Sequence, residues 1–328
     1  MKETILVVGG AGYIGSHFCK EANKNGYHIV VFDNLSTGKK EFAKYGSLVV
    51  GDLNDYNLIV EVLKKYKPAV VVHFAASIEV GESVKNPCKY YENNVINTIN
   101  LLKAMNECGC KNIIFSSTAS IFYSQYGVKI DENTTKLPQN PYAKTKLMVE
   151  NILDDFAVAY GFKYICFRYF NAAGADPDGD LGETHQPFSH LIPIVLNNYK
   201  NNKVIKIFGN DYDTRDGTCI RDYIHVSDLA RAHVLAVEKI LNTDKSIKIN
   251  LGTGNGYSVL EIIKSTEIVL NTKLNYEITE RREGDPAYLV CDNSLADEYL
   301  GWKPKYMDVK EHILHTWNWM NNGLLKIK

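Results

Sequence analysis

The chain has 328 residues, 45% of them hydrophobic, and a formal net charge of −1, enough to bury a large core as one domain or two closely associated ones. Its near-neutral balance supplies no basic field for nucleic acid or an anionic membrane. No apolar run approaches transmembrane length, so a soluble, cytoplasmic protein is expected.

The chain starts MKETILVVGGAG. Ile5–Val8 is a continuous apolar run ending in glycine, which reads as a strand buried on both faces and not as a signal peptide. A helical pattern follows from Tyr13 to Asn25, and HIVVFDN (28–34) and SLVVGDL (47–53) read as further strands. Tyr56–Tyr66 is a second helix and AVVVHFAA (69–76) the next strand. A helix near Pro87–Cys108 leads to a strand at NIIFSS (112–117), another helix opens at Pro141, and FKYICFRYFN (162–171) is a sixth strand. Such alternation predicts an α/β fold, a doubly wound parallel sheet with right-handed crossovers. From about residue 175 the texture turns polar and turn-rich, with shorter elements beyond. The expected division is a first domain over 1–175 and a smaller lobe over 176–328.

Seven cysteines show no paired metal spacing: Cys108-Gly-Cys110 is one close pair with no second pair to complete a zinc site. Free thiols and no metal are expected. His312 and His315, beside the tryptophans of a terminal helix, read as packing. Only six residues are arginine (Arg168, Arg215, Arg221, Arg231, Arg281 and Arg282) in a chain with 37 Lys+Arg. Where arginine persists in so lysine-rich a chain, a bidentate or phosphate-facing task is expected.

VVGGAGYIGSH places glycines at 9, 10, 12 and 15, directly after a strand and at the opening of a helix. In that context the pattern marks a dinucleotide site, because the glycines let backbone approach a pyrophosphate and the helix N-terminus stabilises its charge. Asp33 ends the second strand, where a carboxylate accepts ribose hydroxyls and repels a 2′-phosphate. NAD is therefore expected over NADP, with 1–175 the NAD-binding domain. A second cluster, Gly252-x-Gly254-x-Gly256, precedes Ser258 and Glu261, a capping-box pair, and reads as a turn.

Four Tyr-x-x-x-Lys pairs occur (Tyr142/Lys146, Tyr199/Lys203, Tyr299/Lys303 and Tyr306/Lys310), and chance supplies about two, so spacing selects none. Context selects Tyr142/Lys146. Asn140 is a good N-cap and Pro141 a good first helical residue, so the two side chains share the face of a well-specified helix start. The preceding strand ends in Ser116, Ser117 and Thr118, at the carboxyl end where open α/β sheets bind ligands. A lysine ammonium beside the phenol would lower its pKa for proton transfer.

At these residues the chain resembles the extended short-chain dehydrogenase/reductases, and among them the UDP-glucose 4-epimerases of the NAD-dependent epimerase family. The likeness runs almost end to end, through GGAGYIGSH, DNLSTG, HFAA, YYENN, FSST, PYAKTKLMVE, RYFNAAGA, HLIP, IFGNDYDTRDGT, RDYIHVSDLA, NLGTGNGYSVLE and RREGDPA. It implies that Gly9, Gly12, Tyr13, Ile14, Gly15, Asp33, Asn34, Leu35, Ser36, Thr37, Gly38, Asp52, Leu53, Phe74, Ala75, Ala76, Asn93, Lys146 and Phe170 contact NAD. Tyr142, Lys146 and Thr118 would be catalytic. Asn171, His190, Leu191, Phe208, Arg221, Tyr223, Arg282, Asp285 and Leu289, with Thr118 and Tyr142, would hold a UDP-sugar in the 176–328 lobe.

The implied activity interconverts UDP-glucose and UDP-galactose by transient oxidation at sugar C4, in a homodimer, with UDP-N-acetylglucosamine as a further substrate. Threonine stands at 118 where serine is commoner, Ile78 where some relatives carry a cofactor-contacting lysine, and Phe122-Tyr123 where Tyr-Gly is usual. None of these removes a group the chemistry needs. Two alternatives remain: a nucleotide-sugar 4,6-dehydratase, which needs an Asp-Glu pair where Ala119 and Ser120 stand, and a non-catalytic NAD-binding protein.

Overall fold

Ile5, Leu6, Val7 and Val8 are each at most 1% exposed, as a strand covered on both faces must be. The computed structural model to which they belong describes residues 2–282 and 285–323. These four lie in β1 (Thr4–Val8), which leads to α1 (Tyr13–Lys24), β2 (His28–Asp33), β3 (Ser47–Val50), α2 (Tyr56–Tyr66) and β4 (Val70–His73). Then come α3 (Val80–Lys85), α4 (Pro87–Tyr91), α5 (Asn97–Glu107), β5 (Asn112–Thr118), α6 (Pro141–Tyr160) and β6 (Lys163–Tyr169). The rest comprises β7 (Asn171–Ala173), α7 (Leu191–Lys200), β8 (Ile205–Phe208), β9 (Ile220–His225), α8 (Val226–Leu241), β10 (Ile247–Leu251), β11 (Gly256–Ser258), α9 (Val259–Leu270), β12 (Tyr276–Thr279), β13 (Tyr288–Leu289), α10 (Ser294–Leu300) and α11 (Val309–Asn318).

Seven strands form one sheet in the order β10-β6-β5-β4-β1-β2-β3, and β3, β2, β1, β4 and β5 pair in parallel. This is the expected Rossmann-type α/β fold. The order runs from β1 to β2 and β3 on one side and to β4, β5 and β6 on the other, so the switch point lies between β1 and β4. Ligands of open α/β sheets bind beyond the carboxyl ends of the strands at that point. One face is packed by Leu6, Val30, Val71, Ile113, Leu101, Val149 and Phe162, all buried in one cluster.

Several strands end earlier than their apolar runs suggest. Residues 51–53 and 74–76 lie beyond β3 and β4, because chain that leaves the sheet there turns outward to the crevice. The helix expected near Pro87–Cys108 is α4 and α5 joined by a π-helical turn at Glu92–Ile96, a distortion that often accompanies functional residues.

By contact the chain divides into two units. The first holds Met1–Ile121, Lys136–Arg168 and Ala230–Ile249; the second holds Phe122–Thr135, Tyr169–Leu229 and Asn250–Lys328. The division is interleaved where a single cut after residue 175 was expected, because the chain returns through α8 to add β10 to the large sheet. In the second unit β11, β9 and β13 form a sheet that β7 joins on β9, and β12 pairs with β8. Among the described residues no helix is long and apolar enough to cross a membrane.

Candidate active site

The glycine turn is built to let backbone come close. Gly9 has φ +81°, and a Cβ there would lie 2.6 Å from the Ala75 amide nitrogen at the end of β4. A Cβ on Gly15 would lie 2.2 Å from the Gly9 carbonyl oxygen, so only glycine allows α1 to start against the turn. At Gly12 the added carbon meets only that same oxygen, at 3.4 Å, which leaves room for a ligand. Asp33 is buried at the end of β2. Its Oδ2 accepts the Ala11 N–H at 2.9 Å and its Oδ1 the Leu35 N–H at 2.8 Å. Burial pushes its pKa up, and the two N–H groups oppose that shift.

Around this turn Asn34 donates to Asp52 at 2.6 Å and accepts from the Ser36 N–H at 3.0 Å. Tyr13 and Ile14 open α1, while Ser36 and Thr37 are exposed and Gly38 and Leu53 buried. Phe74 packs on Phe18 and His233, with ring centroids 5.7 and 4.9 Å apart, and Ala75 and Ala76 follow it half-buried. Asn93, on the π-helical turn, donates to Ser77 Oγ at 3.1 Å. Its neighbour Asn94, which the sequence reading passed over, is buried; it accepts the Ser77 N–H at 2.8 Å and donates to Thr145 at 3.1 Å. Phe170 belongs to the second unit, where its N–H donates to the Leu251 carbonyl at 3.1 Å. Ile78 is 46% exposed.

A dinucleotide fits this cradle: close-approach glycines, space over Gly12, and a carboxylate with spare lone pairs for ribose hydroxyls.

Asn140 caps α6 by accepting the Ala143 N–H at 2.9 Å, and Pro141 occupies the first turn. Tyr142 therefore sits at the helix start and Lys146 one turn below. The Thr118 hydroxyl faces the Tyr142 phenol, and Thr118 Oγ1 accepts the Ser120 N–H at 3.2 Å. The ring is half-buried by area; burial raises the phenol's pKa and Thr118 opposes that. Lys146 is 3% exposed. Its ammonium donates to the Ser116 carbonyl at 2.8 Å and lies 4.9 Å from the centre of the Phe115 ring; burial lowers its pKa to about 7. The expected lowering of the phenol's pKa by the lysine is corrected: the net shift is upward, from burial, Thr118 is the group that opposes it, and the lysine is engaged with backbone.

In the second unit Arg221 donates to Asp285 at 2.6 Å and to the Ile220 carbonyl at 2.9 Å. The β9–β13 register sets Leu289 opposite Arg221, and the β7–β9 register sets Asn171 opposite Tyr223. Asn171 donates to the Asp222 carbonyl at 2.9 Å, and burial pushes the Tyr223 phenol well up. The Arg282 guanidinium lies 4.0 Å from the centre of the Phe208 ring, a cation–π contact. His190 precedes Leu191, the first residue of α7, and its Nδ1 lies 3.0 Å from each Glu183 carboxylate oxygen. Burial alone would lower the imidazole pKa; the carboxylate outweighs it and the net shift is upward. Glu183 carries no sequence motif.

The second glycine cluster is a turn, as read: the Thr253 and Gly254 N–H groups both donate to the buried Asp222 carboxylate at 2.8 Å, so they are taken. Ser258 and Glu261 form the capping box.

The family model described as the NAD dependent epimerase/dehydratase family matches residues 5–252. The chain belongs to that family. A UDP-glucose 4-epimerase of Rhizobium leguminosarum bv. trifolii is 49% identical over 318 residues, 97% of each chain. Among solved structures, a UDP-glucose 4-epimerase from Brucella ovis in complex with NAD superposes with a TM-score of 0.93 at 47% identity, covering 96% of this chain and 98% of that one. One from Bifidobacterium longum in complex with NAD+ and UDP gives a TM-score of 0.92 at 37% identity, over 98% and 99% of the two chains.

Proposed function

We propose that this chain is an isomerase that interconverts UDP-glucose and UDP-galactose with bound NAD. The observation that carries the reading is Tyr142 at the start of α6, set against Thr118 and followed one turn on by a buried Lys146 anchored on β5, in a chain similar over 97% of its length to a UDP-glucose 4-epimerase. Gly9, Gly12, Gly15, Asp33, Asn34 and Asp52 hold the dinucleotide. NAD supplies, when bound, a hydride acceptor and donor for sugar C4 and a positive nicotinamide charge that favours the phenolate. Tyr142 takes the proton of the 4-hydroxyl and later returns it. Thr118 holds the phenol and the sugar 4-oxygen in one hydrogen-bonded line. Lys146, held one turn below by its bond to the Ser116 carbonyl, contacts the cofactor.

Arg221, Arg282 and His190 supply positive charge for the diphosphate, and Phe208 a ring face for uracil. Asn171, Tyr223, Asp285 and Leu289 complete the sugar-nucleotide set. A dehydratase would need acids where the buried Ala119 and half-buried Ser120 stand. The protein works as a cytoplasmic homodimer; α6 leaves Met148, Val158 and Tyr160 exposed, Val158 at 91%, as apolar material for a subunit contact. Light scattering should then give twice 37.0 kDa. The deciding assay is conversion of UDP-galactose to UDP-glucose by the purified chain. A 4-keto-6-deoxy product would indicate the dehydratase, and no turnover a non-catalytic role.

A further inference from the structure

We propose that Glu150 and Arg168 are a positioning pair for the Tyr142/Lys146/Thr118 centre, acting through Ser117. The inference rests on the epimerase reading above. Tyr142, Lys146 and Glu150 follow each other at four-residue intervals along α6 and so occupy successive turns of one face. Each meets the end of β5. Tyr142 faces Thr118, Lys146 donates to the Ser116 carbonyl at 2.8 Å, and Glu150 Oε1 accepts the Ser117 hydroxyl at 2.5 Å. Three consecutive strand residues thus meet three consecutive helical turns, the second and third through hydrogen bonds.

The third fastening is itself held from the neighbouring strand. Arg168, on β6, donates from Nε to Glu150 Oε1 at 3.0 Å and from Nη2 to Oε2 at 2.7 Å. The two side chains are 1% and 0% exposed. Burying an ion pair this completely carries a desolvation cost, and apolar residues of equal volume often stabilise as well or better. What apolar residues lack is direction: the planar two-point contact fixes the carboxylate, and the carboxylate fixes Ser117. Thr118 follows Ser117 and Ser116 precedes it, so a slip of β5 along α6 displaces the phenol's partner and the lysine's anchor together. Misplacement by about 1 Å can cost on the order of a hundredfold in rate. This gives Arg168, one of only six arginines, a task that no ligand contact explains.

Ser117→Ala is the clean test, because it cuts the link to β5 and leaves Glu150 and Arg168 paired. In the NAD-loaded protein assayed on UDP-galactose, kcat is expected to fall about tenfold or more, with KM within about twofold and NAD content unchanged. Ser117→Thr, which keeps the hydroxyl, should recover most of the rate. Glu150→Asp keeps the charge but withdraws it by one methylene, and should show the same loss of kcat at unchanged KM if Ser117→Ala does not fold. Wild-type kcat in both folded variants, or losses that track only soluble yield and NAD content, would overturn the pairing's positioning role. The wild-type control separates the two readings: no turnover of UDP-galactose there refutes the epimerase assignment and this proposal with it, whereas an active wild type with unaffected variants refutes the positioning role alone.

Discussion

Asp33 accepts the backbone N–H of Ala11 at 2.9 Å, so the acid that closes β2 is tied to the glycine turn that follows β1. One carboxylate therefore shapes the cradle and, in the proposed function, also receives the ribose hydroxyls. Asp33→Ala would leave the Ala11 and Leu35 N–H groups without their acceptor and remove the ribose partner. The purified wild type, denatured and deproteinised, is expected to release NAD, and Asp33→Ala to release less than about a tenth as much, in line with the loss of a charged hydrogen-bonding partner. NADP in the supernatant, or undiminished NAD from the variant, would refute the assignment.

Tyr142→Phe keeps the ring and deletes the hydroxyl that faces Thr118. Turnover should fall by at least about a hundredfold, the usual worth of a positioned acid–base group. UDP affinity by calorimetry should stay close to wild type, since Arg221 and Arg282 are untouched. A variant that keeps more than about a tenth of the rate would show that another group moves the proton.

Much of this was legible in the residues themselves. Strand β1 and the start of α6 carry strong local signals: an unbroken apolar run, and Asn-Pro at a helix start. Asp33 is placed by a motif whose spacing reflects one strand–helix–strand unit. The partner of Lys146 was not legible, because a backbone carbonyl on another element carries no sequence mark. Nor were Asn94, Glu183 and Glu150, whose roles arise from tertiary contacts: Glu150 reads as an ordinary helical glutamate until Arg168 and Ser117 are folded against it. The interleaved division escaped for a similar reason, since β10 joins the large sheet from far along the chain.

Lys146 makes stability depend on pH in a predictable direction. Its folded pKa is lowered by burial to about 7 from an ordinary 10.5, so between those values the unfolded chain binds more protons than the folded one. Its contribution is fully present above about pH 10.5 and is lost as pH falls toward 7, at up to about 1.4 kcal/mol per pH unit. Lys146→Met lacks this dependence. In cofactor-free protein the stability of wild type relative to Lys146→Met should rise by about 2 kcal/mol between pH 7 and pH 9, measured by urea unfolding at each pH. An unchanged difference would mean that the lysine stays charged in the fold.

The last prediction concerns substrate range. Leu289 lies four residues beyond Asp285, at the position where relatives restricted to glucose and galactose are expected to place a tyrosine beside the sugar. Tyr288 is the other candidate for that position. The β-sheet register separates them: Leu289 stands opposite Arg221 and Tyr288 opposite Ile220. Successive strand residues face opposite sides, and the Tyr288 ring packs edge-on against Tyr126 with centroids 5.6 Å apart. Leu289, in register with Arg221, is therefore the one we place beside the proposed UDP-sugar set. Leucine is shorter than tyrosine and leaves space for a 2-acetamido group, whose exclusion is a matter of clash. The wild type is expected to turn over UDP-N-acetylglucosamine as well as UDP-glucose, and Leu289→Tyr to lose the former at least about tenfold in kcat/KM while keeping the latter. Comparing kcat/KM for both substrates in both proteins decides it: a wild type inactive on the acetamido sugar, or a tyrosine variant equally active on it, removes Leu289 from the specificity of the site.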